Sequence, residues 1–352
     1  MINQISITPD TTLLQALKKM DENNKKLLLV LENNTFVSLI SIGDIQRSIL
    51  KKISLDTPVN KIFREDILVA TTSDNKKEIL QKMKDERIEF MPIVDKDNNI
   101  TEVLFWEDYF QDNKLTEGTK LNLPVVIMAG GEGTRLRPLT NIIPKPLIPI
   151  DDKTIVENIM DQFIEVGCND FTMSVNYKAD KIKEYFEKIP DKNYTVSYVQ
   201  EDKPLGTAGS LYLLKYKLNK TFFVSNCDIL VDVNLEDLLK YHKYNNNVIT
   251  VVSVLKNYKI PYGTIETGAN GLLESLNEKP DIIYQINSGL YILEPKIFDY
   301  LPENSFMHIT DLILKLKDAG LNVGVFPVSE GSWADMGNWD EYLKIINRMK
   351  RD

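Results

Sequence analysis

The second two thirds of the chain alternate between short apolar runs and amphipathic stretches. VVIMA, FTMSV, TVSYVQ and FFVSN are brief, largely apolar or strictly alternating segments, the pattern of strands buried in a sheet. Between and after them, helical spacing predicts helices over 155–166, over 179–188, from Thr207 onward and over 235–245. Strand and helix alternating in this way predict an α/β architecture, a Rossmann-like, mostly parallel sheet covered on both faces by helices. Such sheets bind ligands outside the carboxyl ends of their strands. Chemistry is therefore expected just after VVIMA, TVSYVQ and FFVSN.

The first third has a different rhythm, and it repeats. TPDTTLLQALKKM is matched in character by TTSDNKKEILQKM, and an apolar strand follows each. Each copy predicts a short strand, an amphipathic helix, two strands joined by an Asn-rich turn (Glu32-Asn33-Asn34 and Asp97-Asn98-Asn99) and a closing helix. Residues 111–122, QDNKLTEGTKLN, are polar and aperiodic. The expected organisation is an α+β repeat module over 1–115, a linker over 116–122 and the α/β domain over 123–352.

Charge and cysteine content narrow the function classes. With a formal charge of −9 over 352 residues, general electrostatics argue against a nucleic-acid or anionic-membrane partner. They leave room for phosphate substrates held by a few local cations. Two cysteines, Cys168 and Cys227, and two histidines, His242 and His308, support neither a disulfide framework nor a thiolate or imidazole metal site. The opening residues lack a basic segment followed by an apolar run, and no apolar stretch reaches membrane-spanning length. The expectation is a soluble, cytoplasmic protein.

The densest chemical signal is AGGEGTRLRPLTNIIPKPLIPI, from Ala129 to Ile150. Gly130, Gly131 and Gly133 let the backbone turn sharply and aim several N–H groups at one anionic ligand. Arg135 and Arg137 follow, then Lys145 held stiffly between Pro144 and Pro146. A GGxG triplet alone is more often an ordinary tight turn, but the cations and prolines beside it suit triphosphate chemistry. The spacing fits neither the Walker A loop nor the dinucleotide fingerprint. FFVSNCDIL places Asp228 just past a buried strand, and GSWADMGNW presents Asp335 near the end. Two carboxylates from distant segments suit Mg2+, which prefers a few carboxylates plus phosphates and water.

The segment from Gly130 to Pro146 resembles the sugar-phosphate nucleotidyltransferases, whose signature is GGxGTRLxPLT followed by PKP. The resemblance runs from about Pro124 onward. It implies that Ala129, Gly130, Gly131, Gly133 and Thr134 cradle a nucleoside triphosphate. It further implies that Arg135 contacts the pyrophosphate and the transferred phosphoryl group, and that Lys145 binds phosphate near the attacking sugar phosphate. Asp228 and Asp335 would hold Mg2+. YVQEDKPLGTAGSL resembles the family's base-recognition segment, with Gln200 or a nearby amide reading the base and Gly206 and Thr207 beside it. Gly263, Glu278 and Asn287 would mould the hexose, and Lys279 would meet the sugar phosphate. The string ExxPLGTAG is most like guanylyltransferases, so GTP is the expected nucleotide.

The repeat resembles a pair of CBS motifs, which often bind adenine nucleotides. Ser41 and Asp44 stand at the ribose-contacting spacing in the first copy. In the second, Phe105 replaces the usual Ser or Thr, although Asp108 remains. A ligand-free, dimerising module is the other reading, and a homodimer is expected by analogy alone. A CBS pair ahead of such a transferase resembles the glucosamine-1-phosphate guanylyltransferases of bacterial legionaminic acid pathways. Mannose 1-phosphate is the next candidate. Thymidylyl, uridylyl or adenylyl transfer to glucose 1-phosphate is the enzymatic alternative, and a nucleotide-sensing regulatory protein the non-enzymatic one.

Overall fold

Side chains that can satisfy a helix end decide where the first elements begin. Thr12 accepts a hydrogen bond from Gln15 N (3.2 Å), while Gln15 Oε1 accepts one from Thr12 N (3.0 Å). This reciprocal cap starts α1 (Leu13–Glu22), which follows β1 (Ser6–Ile7) and buries Leu13, Ala16, Leu17 and Met20. β2 (Leu27–Glu32) and β3 (Thr35–Ser41) pair antiparallel, and α2 (Ile42–Leu50) closes the copy. Asn33 and Asn34 supply the left-handed turn between the strands, at φ 51° and 72°, a conformation Asn tolerates better than most side chains. The second copy repeats the order as β4 (Ala70–Thr71), α3 (Lys76–Glu86), β5 (Phe90–Val94) and β6 (Ile100–Phe105). The two turns meet, with Phe36 N donating to Asn98 O and Asn98 Nδ2 to Phe36 O.

In this computed structural model the described residues are 2–64, 67–86, 88, 90–105, 109, 120–337, 339 and 341–343. The closing helix expected in the second copy, Asp108 and most of the expected linker lie outside them. The chain divides into two compact units, Met1–Gly118 and Thr119–Asp352. No described helix is long and apolar enough to cross a membrane.

The second unit is built on β7 (Val125–Ala129), whose residues are almost all buried. A small hairpin, β8 (Pro149–Ile150) and β9 (Lys153–Thr154), leads into α4 (Ile155–Ile164), started by a Thr154–Glu157 capping box. There follow β10 (Asp170–Val175), α5 (Ala179–Glu187), β11 (Thr195–Gln200), the single turn α6 (Gly206–Gly209) and β12 (Phe222–Asn226). Beyond these lie β13 (Ile229–Val231), α7 (Leu235–Tyr244), β14 (Ile249–Lys259), β15 (Thr264–Thr267) and β16 (Leu273–Asn277). β17 (Asp281–Leu293), α8 (Ile309–Asp318), β18 (Val323–Ser329) and β19 (Trp333–Asp335) complete the unit.

The central sheet runs β11-β10-β7-β12-β17-β14-β18. The first four strands are mutually parallel, β17 is antiparallel to both neighbours, and β14 and β18 are parallel. The chain leaves β7 toward β10 on one side and later returns through β12 on the other. Connections from adjacent strands then diverge, which opens a crevice at their carboxyl ends. One apolar layer gathers Val125, Ile127, Phe163, Phe171 and Phe223 with α4, α5 and α7; the opposite layer gathers Val126, Phe222, Val224, Leu312 and Leu316.

Candidate active site

Just past β7, Gly133 takes the left-handed conformation (φ 65°, ψ 37°) and starts the single 3-10 turn Thr134–Leu136. A Cβ there would lie 2.9 Å from Thr140 Cγ2 and 3.1 Å from Lys145 Cβ, so both backbone angle and space require glycine. Gly131 is the opposite case: a Cβ would find nothing within 4 Å. Its backbone faces the open crevice, where an anion can approach the amides.

Lys145 opens a 3-10 turn behind Pro144, and its side chain runs beneath this loop with 7% of the residue exposed. A buried ammonium needs a counter-charge, and Lys145 Nζ has one in Asp228 Oδ2. Arg135 Nη2 stands 4.0 Å from the same oxygen, with its side chain largely exposed. Asp335 reaches this corner through β13 and β19, where Ile229 pairs with Asp335 and Met336 N donates to Asp228 O at 2.8 Å. The point where a Cβ on Gly337 would stand is 2.6 Å from Asp335 Oδ1 and 2.7 Å from Arg135 Nη2. Asp228, Asp335, Arg135 and Lys145, scattered along the sequence, thus share one corner.

The cleft beside them holds about 400 Å3 and is lined by Met128, Gly130, Gly131, Gly133, Thr134, Asn176, Glu201, Gly206, Thr207, Asn226, Cys227 and Phe306 among others. Burial first, then the charge of Asp228, pushes the Cys227 thiol up to about 12, so it sits in the cleft wall as a neutral, unreactive group.

Two expected nucleotide contacts stand elsewhere. Ala129 is buried in the core beneath the loop, so its side chain is not at the cleft surface. Gln200 is exposed, with its side chain accepting from Lys183 Nζ at 2.9 Å on α5. The next residue, Glu201, is the one that faces the cleft. Its Oε1 accepts from Ser174 Oγ (2.9 Å) and its Oε2 from Leu205 N (2.8 Å). Successive residues of an extended chain point to opposite faces, and that alternation is the signal that separates Gln200 from Glu201. Asn176, Asn226 and Phe306 also line the cleft, and no motif in the sequence marks them.

The small residues of GTAG have a second reason. A Cβ on Gly206 (φ 74°) would stand 2.6 Å from Met307 O, and one on Gly209 2.4 Å from Ser305 O. The backbone before α8, rather than a ligand alone, occupies the space those glycines leave.

The expected hexose residues form a separate group. Glu278 Oε2 lies 2.9 Å from where a Cβ of Gly263 would be, and Lys279 follows at φ 47°, its ammonium 4.0 Å from Glu278. These three belong to the β15–β16 arm and do not line the 400 Å3 cleft. Asn287 stands between the groups: its Oδ1 accepts from Gly289 N (3.0 Å), and the side chain of the cleft residue Asn226 packs on Gly289.

In the first unit Ser41 and Asp44 are together, as their spacing predicts. Ser41 N and Oγ donate to Asp44 Oδ2 at 2.8 and 2.7 Å, and Arg64 Nε and Nη2 donate to the same carboxylate at 2.8 to 3.0 Å. Burial opposes ionisation of Asp44, but hydrogen bonds from Arg64 and Ser41 outweigh it and hold the carboxyl below its ordinary range. Phe105, buried at the end of β6, offers no hydroxyl; the Lys25 ammonium lies 4.7 Å from its ring centre.

Fold and site together define a class: an α/β protein whose strand ends converge on a corner where two cations meet two carboxylates. The comparisons with known proteins then give the family. Residues 124–352 match the nucleotidyl transferase family, and the chain belongs to it. Residues 1–51, the first copy of the repeat, match the CBS domain. The chain is 31% identical over 230 residues to "Probable mannose-1-phosphate guanylyltransferase 3" of Oryza sativa subsp. japonica, covering 63% of each chain. It is 30% identical over 243 residues to "UTP--glucose-1-phosphate uridylyltransferase" of Synechocystis sp., covering 64% of this chain and 62% of that one. The chain thus spans less than two thirds of the length of these relatives. Among solved structures, a putative glucose-1-phosphate thymidylyltransferase from Bacillus anthracis superposes with a TM-score of 0.52 at 20% identity, over 65% of this chain and 96% of that one. That likeness concerns the fold.

Proposed function

We propose that the second unit transfers a nucleotidyl group from a nucleoside triphosphate, with GTP preferred, to a hexose 1-phosphate, releasing pyrophosphate. The observation that carries this reading is the convergence of the Gly130–Thr134 loop, Arg135, Lys145 and Asp228 on one corner of one cleft, with Asp335 beside that corner. A sugar phosphate oxygen forms the new bond to the α-phosphorus while the bond from that phosphorus to the departing pyrophosphate breaks. The nucleophile is already anionic near neutral pH, so no general base is required. What the site must supply is alignment and neutralisation of two anions. The loop amides and Thr134 cradle the triphosphate, Lys145 steadies the phosphate nearest Asp228, and Arg135, with its side chain largely exposed, meets the charge that develops on the pyrophosphate.

The donor set also suits Mg2+. Asp228 and Asp335 offer hard carboxylate oxygens from adjacent strands, and each keeps an oxygen beyond its present partner. A bound ion would supply charge neutralisation and alignment of the phosphates.

Guanine is favoured by Glu201. A carboxylate accepts only; with Ser174 on Oε1 and Leu205 N on Oε2, each oxygen keeps acceptor capacity, and such a pair of acceptors matches the adjacent N1–H and N2–H donors of guanine better than the edges of uracil, thymine or adenine. The β15–β16 arm, with Gly263, Glu278 and Lys279, and the neighbouring Asn287 would hold the hexose phosphate. Glucosamine 1-phosphate is the preferred acceptor on the combination of CBS module and transferase, with mannose 1-phosphate next. At the first unit, a ribose hydroxyl reaching Asp44 must displace or share the Arg64 guanidinium.

Pyrophosphate release measured with each of the four nucleoside triphosphates against a panel of hexose 1-phosphates tests the proposal directly. GTP with one amino- or neutral hexose 1-phosphate should dominate, and absence of release with every pair would end it. Arg135→Ala should lower turnover by about 100-fold or more with an unchanged melting temperature. Glu201→Gln should cut the preference for GTP over UTP by about tenfold; an unchanged preference would remove Glu201 from base reading.

A further inference from the structure

We infer that Phe306 is the stacking wall of the base slot, so that the nucleobase lies against its ring while Glu201 reads the base edge. The inference rests on the reading of the cleft as a nucleoside triphosphate site and adds the residue that holds the base.

Phe306 is a large apolar side chain that lines the cleft while 58% exposed. Aromatic surface is seldom left in water at a ligand site without a ligand face to cover it. The backbone that follows it is fixed. Met307 N donates to Leu205 O (2.9 Å), and Met307 O accepts from both Ala208 N (3.0 Å) and Gly209 N (3.1 Å). Thr207 Oγ1 accepts from Ile309 N at 2.9 Å and so ties the start of α8 to the same turn. The ring meets His308 edge to face, with centroids 4.7 Å apart. Phe306 Cε2 stands 3.2 Å from the position a Gly206 Cβ would take. The ring is therefore pinned over Gly206, in the turn whose preceding amide, Leu205 N, binds Glu201. A flat ring presented there at fixed height, next to an acceptor that faces the same cleft, makes an edge-and-face pair. Such a pair reads a base by hydrogen bonds along its rim and by contact over its plane. A purine offers the larger plane, so Phe306 reinforces the purine choice that Glu201 makes by its lone pairs.

The test uses the full-length protein with equilibrium binding of GTP, UTP and inorganic tripolyphosphate to wild type, Phe306→Ala and Phe306→Tyr. Stacking on one aromatic ring supports roughly a tenfold effect, so Phe306→Ala should weaken GTP about tenfold and UTP less. It should leave tripolyphosphate, which has no base, unchanged, and Phe306→Tyr should restore GTP binding. Because the ring is mostly exposed, neither variant should unfold, and a thermal melt of each verifies this. Equal weakening of GTP and tripolyphosphate would mean the segment merely shapes the loop, and would overturn the proposal; unchanged GTP binding would do the same. If wild type binds tripolyphosphate but discriminates no base, the stacking wall fails while the phosphate site stands. If wild type binds neither nucleotide nor tripolyphosphate, the nucleotide reading of the cleft fails with it.

Discussion

Gly131 and Gly133 are separated by one residue and have opposite structural demands. Gly133→Ala meets a positive φ together with two side chains at 3.1 Å or less, and should destabilise the unit by about 1–3 kcal/mol. Gly131→Ala meets open space in the crevice. It should leave the melting temperature within a degree or two while raising KM for the triphosphate about tenfold, because its methyl group would stand where phosphate approaches. Equal losses of stability in the two variants would contradict this division. In the first unit, folding favours the ionised form of Asp44. Its stabilisation is therefore complete above the unfolded value of 3.8 and is lost as pH falls through the lower folded value. Asp44→Asn should cost about 1–2 kcal/mol at neutral pH. Wild type and variant should converge once the pH has fallen through that lower folded value in chemical denaturation, and a gap that persists in acid would remove the charge from the account.

At the scale of elements, the sheet was legible because its strands obey simple rules. VVIMA and the start of FFVSN are apolar since both faces of the sheet are covered by helices, and the helical spacing after Thr154 matches the helix that its capping box begins. The Gly130–Pro146 segment was legible for the same reason: its glycines and prolines are local constraints that sequence displays directly. Contacts made across the fold were not. Which of Gln200 and Glu201 faces the cleft depends on the residue at which the strand ends, and composition alone does not fix that end. Phe306 was missed because it reaches the cleft through three hydrogen bonds from Met307 to the turn around Gly206, which no spacing predicts. The short β13–β19 ladder carries a prediction of its own. Asp335→Asn keeps this pairing but removes one charge beside Asp228, so activity should need roughly tenfold more Mg2+ at half-saturation. An unchanged metal titration would exclude Asp335 as a ligand.

For the molecule as a whole, the second unit has its own two apolar layers and carries every residue of the cleft. A fragment spanning 120–352 should fold and bind GTP with the affinity of the full chain within about threefold. Loss of binding on removing 1–119 would show that the first unit completes the site. The tie between the GTAG turn and the backbone at 305–307 has a practical outcome for redesign. Thr207 and Ile309 are bonded although 102 positions apart, and the glycines at 206 and 209 have room only for that particular neighbour. Exchanging the turn for that of a relative with another base preference would leave its new side chains colliding with an unmatched partner. A transplant of specificity therefore has to move both segments together, as one discontinuous cassette.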